Sequence, residues 1–128
     1  MAWWKDRPNS ILYDKFEVTL VSPGTFLGAI VGADVIRVPA RTRTEVHRHN
    51  RCDNVIFVVL GEAIALVDEG RVTIQAGERL FIGRGVFHGF ETGERDLQFV
   101  SLQIPPALDE GGTFDCEVQG ESAKDSDD

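Results

Sequence analysis

Short apolar segments separated by turn-forming residues run through most of this sequence. Each segment has four to eight residues, is rich in Val, Ile, Leu or Phe, and is separated from the next by Gly, Pro, Asn or Asp. We find no apolar stripe of helical period over ten or more residues. The predicted strands are Phe16–Ser22, Leu27–Val31, Asp34–Val38, Thr44–His49, Asn54–Leu60, Glu62–Asp68, Arg71–Gln75, Arg79–Ile82, Val86–Glu91 and Leu97–Ile104. This pattern predicts an all-β fold, either a closed barrel or a sandwich of antiparallel sheets.

Length and charge restrict the class of protein. A chain of 128 residues builds one core, and a net charge of −8 disfavours a nucleic-acid-binding surface. No apolar run approaches the roughly 18 to 20 residues of a membrane span, and the N-terminus lacks a secretory signal. We therefore expect a cytoplasmic protein with no nucleic-acid or membrane partner. Cys52 and Cys116 would then be reduced thiols, although a cysteine pair alone leaves a disulfide open.

The two ends of the chain differ from its middle. Beyond Pro105-Pro106 the sequence turns polar, and Glu117–Asp128 is acidic and almost free of apolar residues, so we expect this tail to be disordered or loosely attached. Trp3 and Trp4 precede the first predicted strand and belong either to a surface-packed arm or to an arm lying across a partner subunit. The expected organisation is a flexible N-terminal arm over 1–15, a β-barrel over 16–106 and a partly disordered C-terminal extension over 107–128.

The three histidines of the chain are spaced like ligands of one metal ion. His47 and His49 are two residues apart on a predicted strand, so their side chains point to the same face. His88 ends the run Gly-Arg-Gly-Val-Phe-His. Neutral imidazole is the commonest ligand of divalent transition metals, and no histidine remains for another task. The pattern predicts a metal site.

Residues 40–92 resemble the cupin superfamily, whose first motif is His-x-His, three or four residues, an acidic ligand, six residues and Gly. Here His47-Arg48-His49 is followed by Asn54 at the acidic position and by Gly61. The second motif runs Gly, five residues, Pro-x-Gly, two residues and His, and here it is Gly77, Gly83-Arg84-Gly85 and His88. Gly83 replaces the usual Pro.

The resemblance implies a double-stranded β-helix, a jelly-roll barrel that holds one divalent transition metal ion per chain on His47, His49 and His88. It also implies a homodimer that packs its N-terminal strands. Iron is the favoured metal, with Mn, Ni, Zn, Co and Cu as alternatives because imidazole binds all of them.

The missing acidic ligand is the main departure from the family pattern. Asn54 offers only a neutral carbonyl oxygen, or holds a water, so two or three coordination positions stay open for substrate, water or dioxygen. Asp53 could supply a carboxylate only if a bulge shifts the register, because strand alternation turns it outward when Asn54 faces in.

Five arginines fall within fifteen residues: Arg37, Arg41, Arg43, Arg48 and Arg51. They either attract an anionic substrate or, the interpretation we favour, are solvated charges that pair with acidic residues. By alternation Arg48 points away from the metal, so Arg37 and Arg43 are the candidates for the cavity, beside Asn54.

The rest of the cavity is expected to be largely apolar. Gln98, Ser101 and Gln103 are the neutral polar groups on the last predicted strand that could orient a ligand. Tyr13, the only tyrosine, is either a general acid or, by preference, a structural phenol.

The resulting functional hypothesis is a metal-dependent cupin enzyme, foremost a mononuclear non-haem dioxygenase acting on a small organic substrate that is anionic if the arginines bind it. The alternatives are a non-redox lyase or isomerase that uses its metal as a Lewis acid on a sugar acid, and a ligand-binding cupin without catalysis.

Overall fold

Every regular element of the structure is a β-strand. The computed structural model describes residues 3–25, 27–109 and 111–120. In chain order the strands are β1 Ser10–Tyr13, β2 Phe16–Leu20, β3 Gly32–Val38, β4 His47–Arg48, β5 Asp53–Leu60, β6 Glu62–Val67, β7 Gly70–Gln75, β8 Arg79–Ile82, β9 His88–Thr92, β10 Leu97–Ile104 and β11 Glu117–Val118. Over these residues no helix is long and apolar enough to cross a membrane.

The strands form two sheets in which neighbours run antiparallel. The first sheet has the order β1-β2-β3-β10-β5-β8, and the second has the order β11-β4-β9-β6-β7. β1, β2 and β3 follow one another in the first sheet, and β6 and β7 form a hairpin in the second. At every other step from β3 to β11 the chain passes from one sheet to the other. The prediction of an all-β protein built from two antiparallel sheets is confirmed.

Strand alternation separates an apolar core from a polar cavity at one end of the barrel. On β10 the inward positions are Leu97 and Phe99, followed by Ser101 and Gln103. The first two belong to the hydrophobic core and the last two line a cavity. β5 and β3 run antiparallel to β10, and their inward positions change from polar to apolar along the chain, so the polar positions of all three strands lie at the same end of the barrel. The core residues are Phe16, Val18, Val38, Ile56, Val58, Ala63, Ala65, Ile74, Phe90, Leu97 and Phe99.

Several strand boundaries differ from the sequence prediction. Leu27–Val31 is not a strand but a series of turns, in which the amides of Ile30 and Val31 both bond to the carbonyl of Leu27. Only His47–Arg48 of the predicted segment Thr44–His49 is strand. Ser10–Tyr13 was expected to belong to a flexible arm, but it pairs with β2 as an edge strand. The prediction from residue preferences was wrong for these segments because pairing with distant strands determines which residues form a strand.

The chain ends also differ in part from expectation. Glu117 and Val118 pair with Arg48 and His47, so this part of the acidic tail is attached to the second sheet. Residues 121–128 of the predicted tail lie outside the described residues. Trp3 and Trp4, at the start of the arm, are 72% and 59% exposed.

A glycine with positive φ lies at the corner between β5 and β6, where the chain passes from the first sheet to the second. Gly61 has φ 82°, and a Cβ there would lie 2.1 Å from the carbonyl oxygen of Asp96. Only glycine accepts this backbone and this close approach. In the hairpin between β6 and β7 the positive φ belongs to Asp68 (φ 51°) and not to Gly70.

Candidate metal centre

The three histidines meet at the polar end of the barrel. β4 pairs with β9 through His47 and His88, so these two residues are opposite one another in the second sheet. His49 follows β4 directly. The ring centroids are 4.8 Å apart for His47 and His88, 5.2 Å for His47 and His49, and 5.1 Å for His49 and His88. One ligand nitrogen from each ring lies within 4.8 Å of the others. The three histidines that the sequence spacing predicts as ligands therefore lie close enough together to hold one ion.

Hydrogen bonds fix the orientation of two of the rings. Nδ1 of His49 lies 2.6 Å from the carbonyl oxygen of Asp115, and Nδ1 of His88 lies 2.9 Å from that of Val86. Each Nδ1 acts as the donor because a carbonyl can only accept, which leaves Nε2 with a free electron pair. Histidines that bind metals commonly donate their other ring N–H in this way. The donor set therefore fits a transition-metal ion.

His47 completes the set from a different environment. Its Nδ1 makes no hydrogen bond and lies 3.4 Å from Oε1 of Glu45. Burial, followed by the neighbouring His88 and His49, lowers the pKa of His47 from 6.5 to about 3. Burial also lowers the pKa of His88 to about 4, although its bond to the Val86 carbonyl opposes the shift. Both imidazoles are neutral at physiological pH, which is the form that binds a metal.

Neither Asn54 nor Asp53 supplies a carboxylate to the three histidines. Asn54 is 5% exposed and lines the cavity, where its Oδ1 accepts a hydrogen bond from Oγ of Ser101 at 3.0 Å. Asp53 is turned outward and binds the backbone amide and guanidinium of Arg84. Those contacts lower the pKa of Asp53.

A carboxyl group does face the cavity, but from another strand. Asp34 on β3 is 8% exposed and lies on the inward side with Ile36 and Val38. Its Oδ2 accepts a hydrogen bond from Nε2 of Gln103 at 3.0 Å, and the same Nε2 lies 2.7 Å from Oγ of Ser101. Burial raises the pKa of Asp34, and the bond from Gln103 opposes the rise. Sequence reasoning overlooked Asp34, although its inward parity was the available signal.

Tyr13 reaches the same cavity from the unpredicted edge strand β1. Its ring centroid lies 6.1 Å from that of His47, and its hydroxyl lies 3.0 Å from Sγ of Cys116. Burial raises the pKa of this phenol, and the neighbouring Cys116 and Glu45 raise it further. Sequence distance hid this contact, since 103 residues separate Tyr13 from Cys116.

The cavity is small and mostly apolar. Its volume is about 80 Å³, which is room for a few waters or a small organic molecule. Ala107, Phe114 and Cys116 line it, so the segment expected to be a loose C-terminal extension forms part of the wall. The remaining lining residues are Tyr13, Phe16, Val18, Asp34, Ile36, His47, His49, Asn54, Ile56, Ile82, His88, Phe90, Phe99, Ser101 and Gln103.

The structure places Arg37 and Arg43 outside the cavity. Arg37 lies between the inward residues Ile36 and Val38, so alternation turns it out, where it pairs with Glu17 and Asp96. The expectation that it lines the cavity is therefore wrong. The expectation is also wrong for Arg43, which lies in an irregular segment and pairs with Glu91 at 3.2 Å.

The other arginines of the cluster are also paired with acidic side chains. Arg41 binds Glu94, Arg48 binds Glu117, and Nε of Arg51 lies 3.9 Å from Asp115. These contacts agree with the interpretation of the arginine run as surface ion pairs.

Two antiparallel sheets closed around a buried histidine cluster define a small β-barrel protein with a candidate metal centre. The chain belongs to the cupin family: the family model described as Cupin domain matches residues 34–102, more than half of the chain. The matched region contains all three histidines. No relative was found among curated proteins.

Solved structures agree with this fold. KdgF from Halomonas sp. matches with a TM-score of 0.65 and 16% identity, covering 76% of this chain and 86% of that chain. A predicted oxalate decarboxylase from Thermotoga maritima matches with 0.65 and 22%, covering 77% and 91%. A cupin-superfamily sugar phosphate isomerase from Silicibacter pomeroyi matches with 0.67 and 14%, covering 91% and 89%. At these identities the likeness is one of fold.

Proposed function

We propose that this protein is a metal-dependent enzyme that acts on a small organic substrate by non-redox, Lewis-acid chemistry, as a lyase or isomerase. The observation that carries the proposal is the content of the cavity. Beside the three histidines, it contains two side chains that can exchange protons, Tyr13 and Asp34. Isomerases and lyases need a group that removes a proton and one that returns it, within reach of a polarised substrate oxygen.

A divalent ion held by His47, His49 and His88 would polarise a substrate oxygen. The protein contributes the rest. Burial lowers the pKa of His47 and of His88, so protons do not compete with the ion for these two rings. The carbonyls of Asp115 and Val86 orient the rings of His49 and His88. The apolar wall, with Ile56 and Phe90, limits the number of waters around the substrate and strengthens electrostatic interactions inside.

The nature of the metal follows only from the ligand type. Three imidazoles bind Fe, Mn, Co, Ni, Cu and Zn. We therefore propose one divalent transition metal ion per chain, of any of these elements. The substrate is proposed to carry a carbonyl or hydroxyl oxygen that can bind the ion. Two of the structural neighbours, a sugar phosphate isomerase and a predicted oxalate decarboxylase, support this class by analogy of fold.

The second candidate is a mononuclear iron-dependent dioxygenase. One observation favours it: the structure supplies no carboxylate from position 54, and Oδ1 of Asn54 accepts a hydrogen bond from Ser101. Three neutral ligands leave the charge of the ion uncompensated and leave open positions for a chelating substrate and dioxygen.

Elemental analysis followed by two assays tests both candidates. Purified protein should hold one ion per chain, and His47→Ala or His88→Ala should lose it while Asp53→Asn keeps it. The loaded protein is then supplied with a panel of hydroxy acids, sugar acids, diketones and thiols. Isomerisation or elimination under argon supports the Lewis-acid proposal. Oxygen uptake by the iron form supports the dioxygenase, and metal binding with silence on the panel supports a binding protein.

We further propose that the protein is a homodimer through the outer face of the first sheet. Phe57, Phe81, Leu102 and Ile104 are exposed there on the adjacent strands β5, β8 and β10. A contiguous apolar face of this kind is typical of a subunit interface, and a second copy offers the matching surface. Light scattering should give twice the chain mass, and Phe81→Glu should give the single mass. An unchanged dimer in Phe81→Glu, with a monomer on removal of residues 1–9, would instead assign the interface to the Trp3-Trp4 arm.

A further inference from the structure

Asp34 lies at the junction between the metal cavity and a larger cleft that opens outside it. The outer cleft has a volume of about 660 Å³. Within residues 3–25, 27–109 and 111–120, only Asp34 and Gln103 line both this cleft and the metal cavity. A ligand that bridges the two spaces must therefore pass these two side chains. Residues of the long connections, including Thr25, Pro105 and Asp109, form the walls of the outer cleft.

Gln103 is held rigidly and fixes the orientation of Asp34. Oε1 of Gln103 accepts a bond from the amide of Ala107 at 3.3 Å, which leaves Nε2 as the donor to Asp34 and Ser101. Gly32 lies beside it, and a Cβ at that position would approach Oε1 of Gln103 to 2.1 Å. The glycine thus leaves the space that the amide occupies. A side chain held in this way is preorganised rather than free to rotate.

One oxygen of Asp34 remains available for chemistry. Oδ2 accepts the bond from Gln103, whereas Oδ1 takes part in no hydrogen bond and no ion pair within residues 3–25, 27–109 and 111–120. Tyr13, the other proton-exchanging group of the cavity, is different because its hydroxyl is already bonded to Cys116. A buried carboxyl that faces a cavity without a cationic partner is costly to the fold, and such positions mark functional sites.

We propose that Asp34 is the acid–base residue of this site, and that it moves a proton to and from a carbonyl or hydroxy-acid substrate that enters through the outer cleft. This inference rests on the proposed metal-dependent function. In the step, a C–H bond next to a substrate carbonyl breaks, its proton goes to Oδ1 of Asp34, and the electron pair moves to the carbonyl oxygen. The carbon that lost the proton carries a hydroxyl group, whose proton moves to the former carbonyl oxygen. Return of the first proton from Asp34 to the former carbonyl carbon then leaves a new carbonyl on the neighbouring carbon, so the isomerisation consumes no oxidant or reductant.

In the part of the chain that the structure describes, few charged or titratable groups lie around Asp34. Those that share the metal cavity with it are His47, His49, His88, Tyr13 and Cys116. Those that share the outer cleft are Arg51 and Asp109. All of them remain in place in variants of Asp34, so a comparison of variants isolates the titration of this one carboxyl.

The test measures binding of glycolate, a hydroxy-acid probe, to protein loaded with Co²⁺, followed by visible absorption from pH 4, near the ordinary pKa of an Asp carboxyl, to pH 9. A negative charge on Asp34 repels the anionic probe. The affinity of the wild-type protein should therefore fall as pH rises through the pKa of Asp34, and Asp34→Asn should lack this inflection. Gln103→Leu removes the bond that lowers that pKa, so it should move the inflection to higher pH. Asp53→Asn, the same chemical change on an outward-facing residue, should match the wild type.

The outcomes separate this inference from the metal proposal. Loss of the inflection in Asp34→Asn, or its shift in Gln103→Leu, with one Co²⁺ bound per chain supports the role of Asp34. Superimposable profiles for wild type and Asp34→Asn, with Co²⁺ bound in both, overturn it and leave the metal centre intact. Failure of the wild-type protein to bind Co²⁺ at all overturns the proposed function itself.

Discussion

The stability of the metal-free protein should fall steeply between pH 8 and pH 5 because of two buried histidines. The folded pKa values are about 3 for His47 and about 4 for His88, against an ordinary value of 6.5. Between these values the unfolded chain binds protons that the folded chain does not, so acid favours unfolding. A pH of 5 lies 1.5 units below 6.5, the pKa of a histidine in the unfolded chain. At about 1.4 kcal/mol per pKa unit, each of the two histidines therefore lowers the free energy of unfolding at pH 5 by about 2 kcal/mol.

Urea unfolding followed by circular dichroism, with EDTA present, measures this loss. The wild-type free energy of unfolding should drop by about 4 kcal/mol from these two groups between pH 8 and pH 5. His88→Gln keeps a side chain of comparable size but cannot titrate, so its drop should be smaller by about 2 kcal/mol. If the two proteins lose the same free energy over this range, the argument that burial holds His88 neutral is wrong.

Three further predictions concern the barrel around the site. Leu97→Ala, at a fully buried position, should cost about 2 to 5 kcal/mol in urea unfolding, whereas Leu12→Ala, at a 78% exposed position, should stay within about 0.5 kcal/mol. Burial raises the pKa of Cys52 to about 12, so native protein at pH 8 should not be alkylated there until denaturant is added, as located by mass spectrometry. Gly61→Ala should cost more than about 1 kcal/mol because of its positive φ, while Gly93→Ala, with open space around it, should cost less.

Periodicity and spacing predicted much of the fold and the centre of the site. Alternation along β10 correctly separates inward from outward side chains, and the two-residue step from His47 to His49 brings both rings to the cavity. The same alternation predicted that Asp53 faces outward. These inferences succeed because they depend only on the local geometry of an extended chain.

The contacts that sequence reasoning missed are those between distant segments. The edge strand β1 is recognisable only through its pairing with β2, and that pairing is what brings Tyr13 to the cavity. The C-terminal residues 107–118 look polar and loose as a sequence, yet the carbonyl of Asp115 accepts from His49, and its carboxylate accepts from two backbone amides. No local pattern encodes such long-range hydrogen bonds.

Of the two roles considered for the arginine run, the structure agrees with surface ion pairs and not with a lining of the cavity. A positive run in an acidic protein indicates either a ligand site or internal compensation, and the sequence alone does not choose between them. The structure shows an acidic partner for each arginine of the run, for example Glu17 and Asp96 for Arg37. The missing information was which acidic residues lie opposite across the sheets.

The most direct test of the central claim is the affinity of the metal-free protein for Co²⁺, measured by competition with a chelator for three proteins. The wild-type protein should bind one equivalent, and His88→Ala should bind at least about 100-fold more weakly because a ligand is lost. Asn54→Ala should stay within a few-fold of the wild type, since Asn54 bonds to Ser101 and is not part of the ligand set. Wild-type affinity in His88→Ala, or a loss in Asn54→Ala as large as that expected for His88→Ala, would contradict a metal centre built from the three histidines alone.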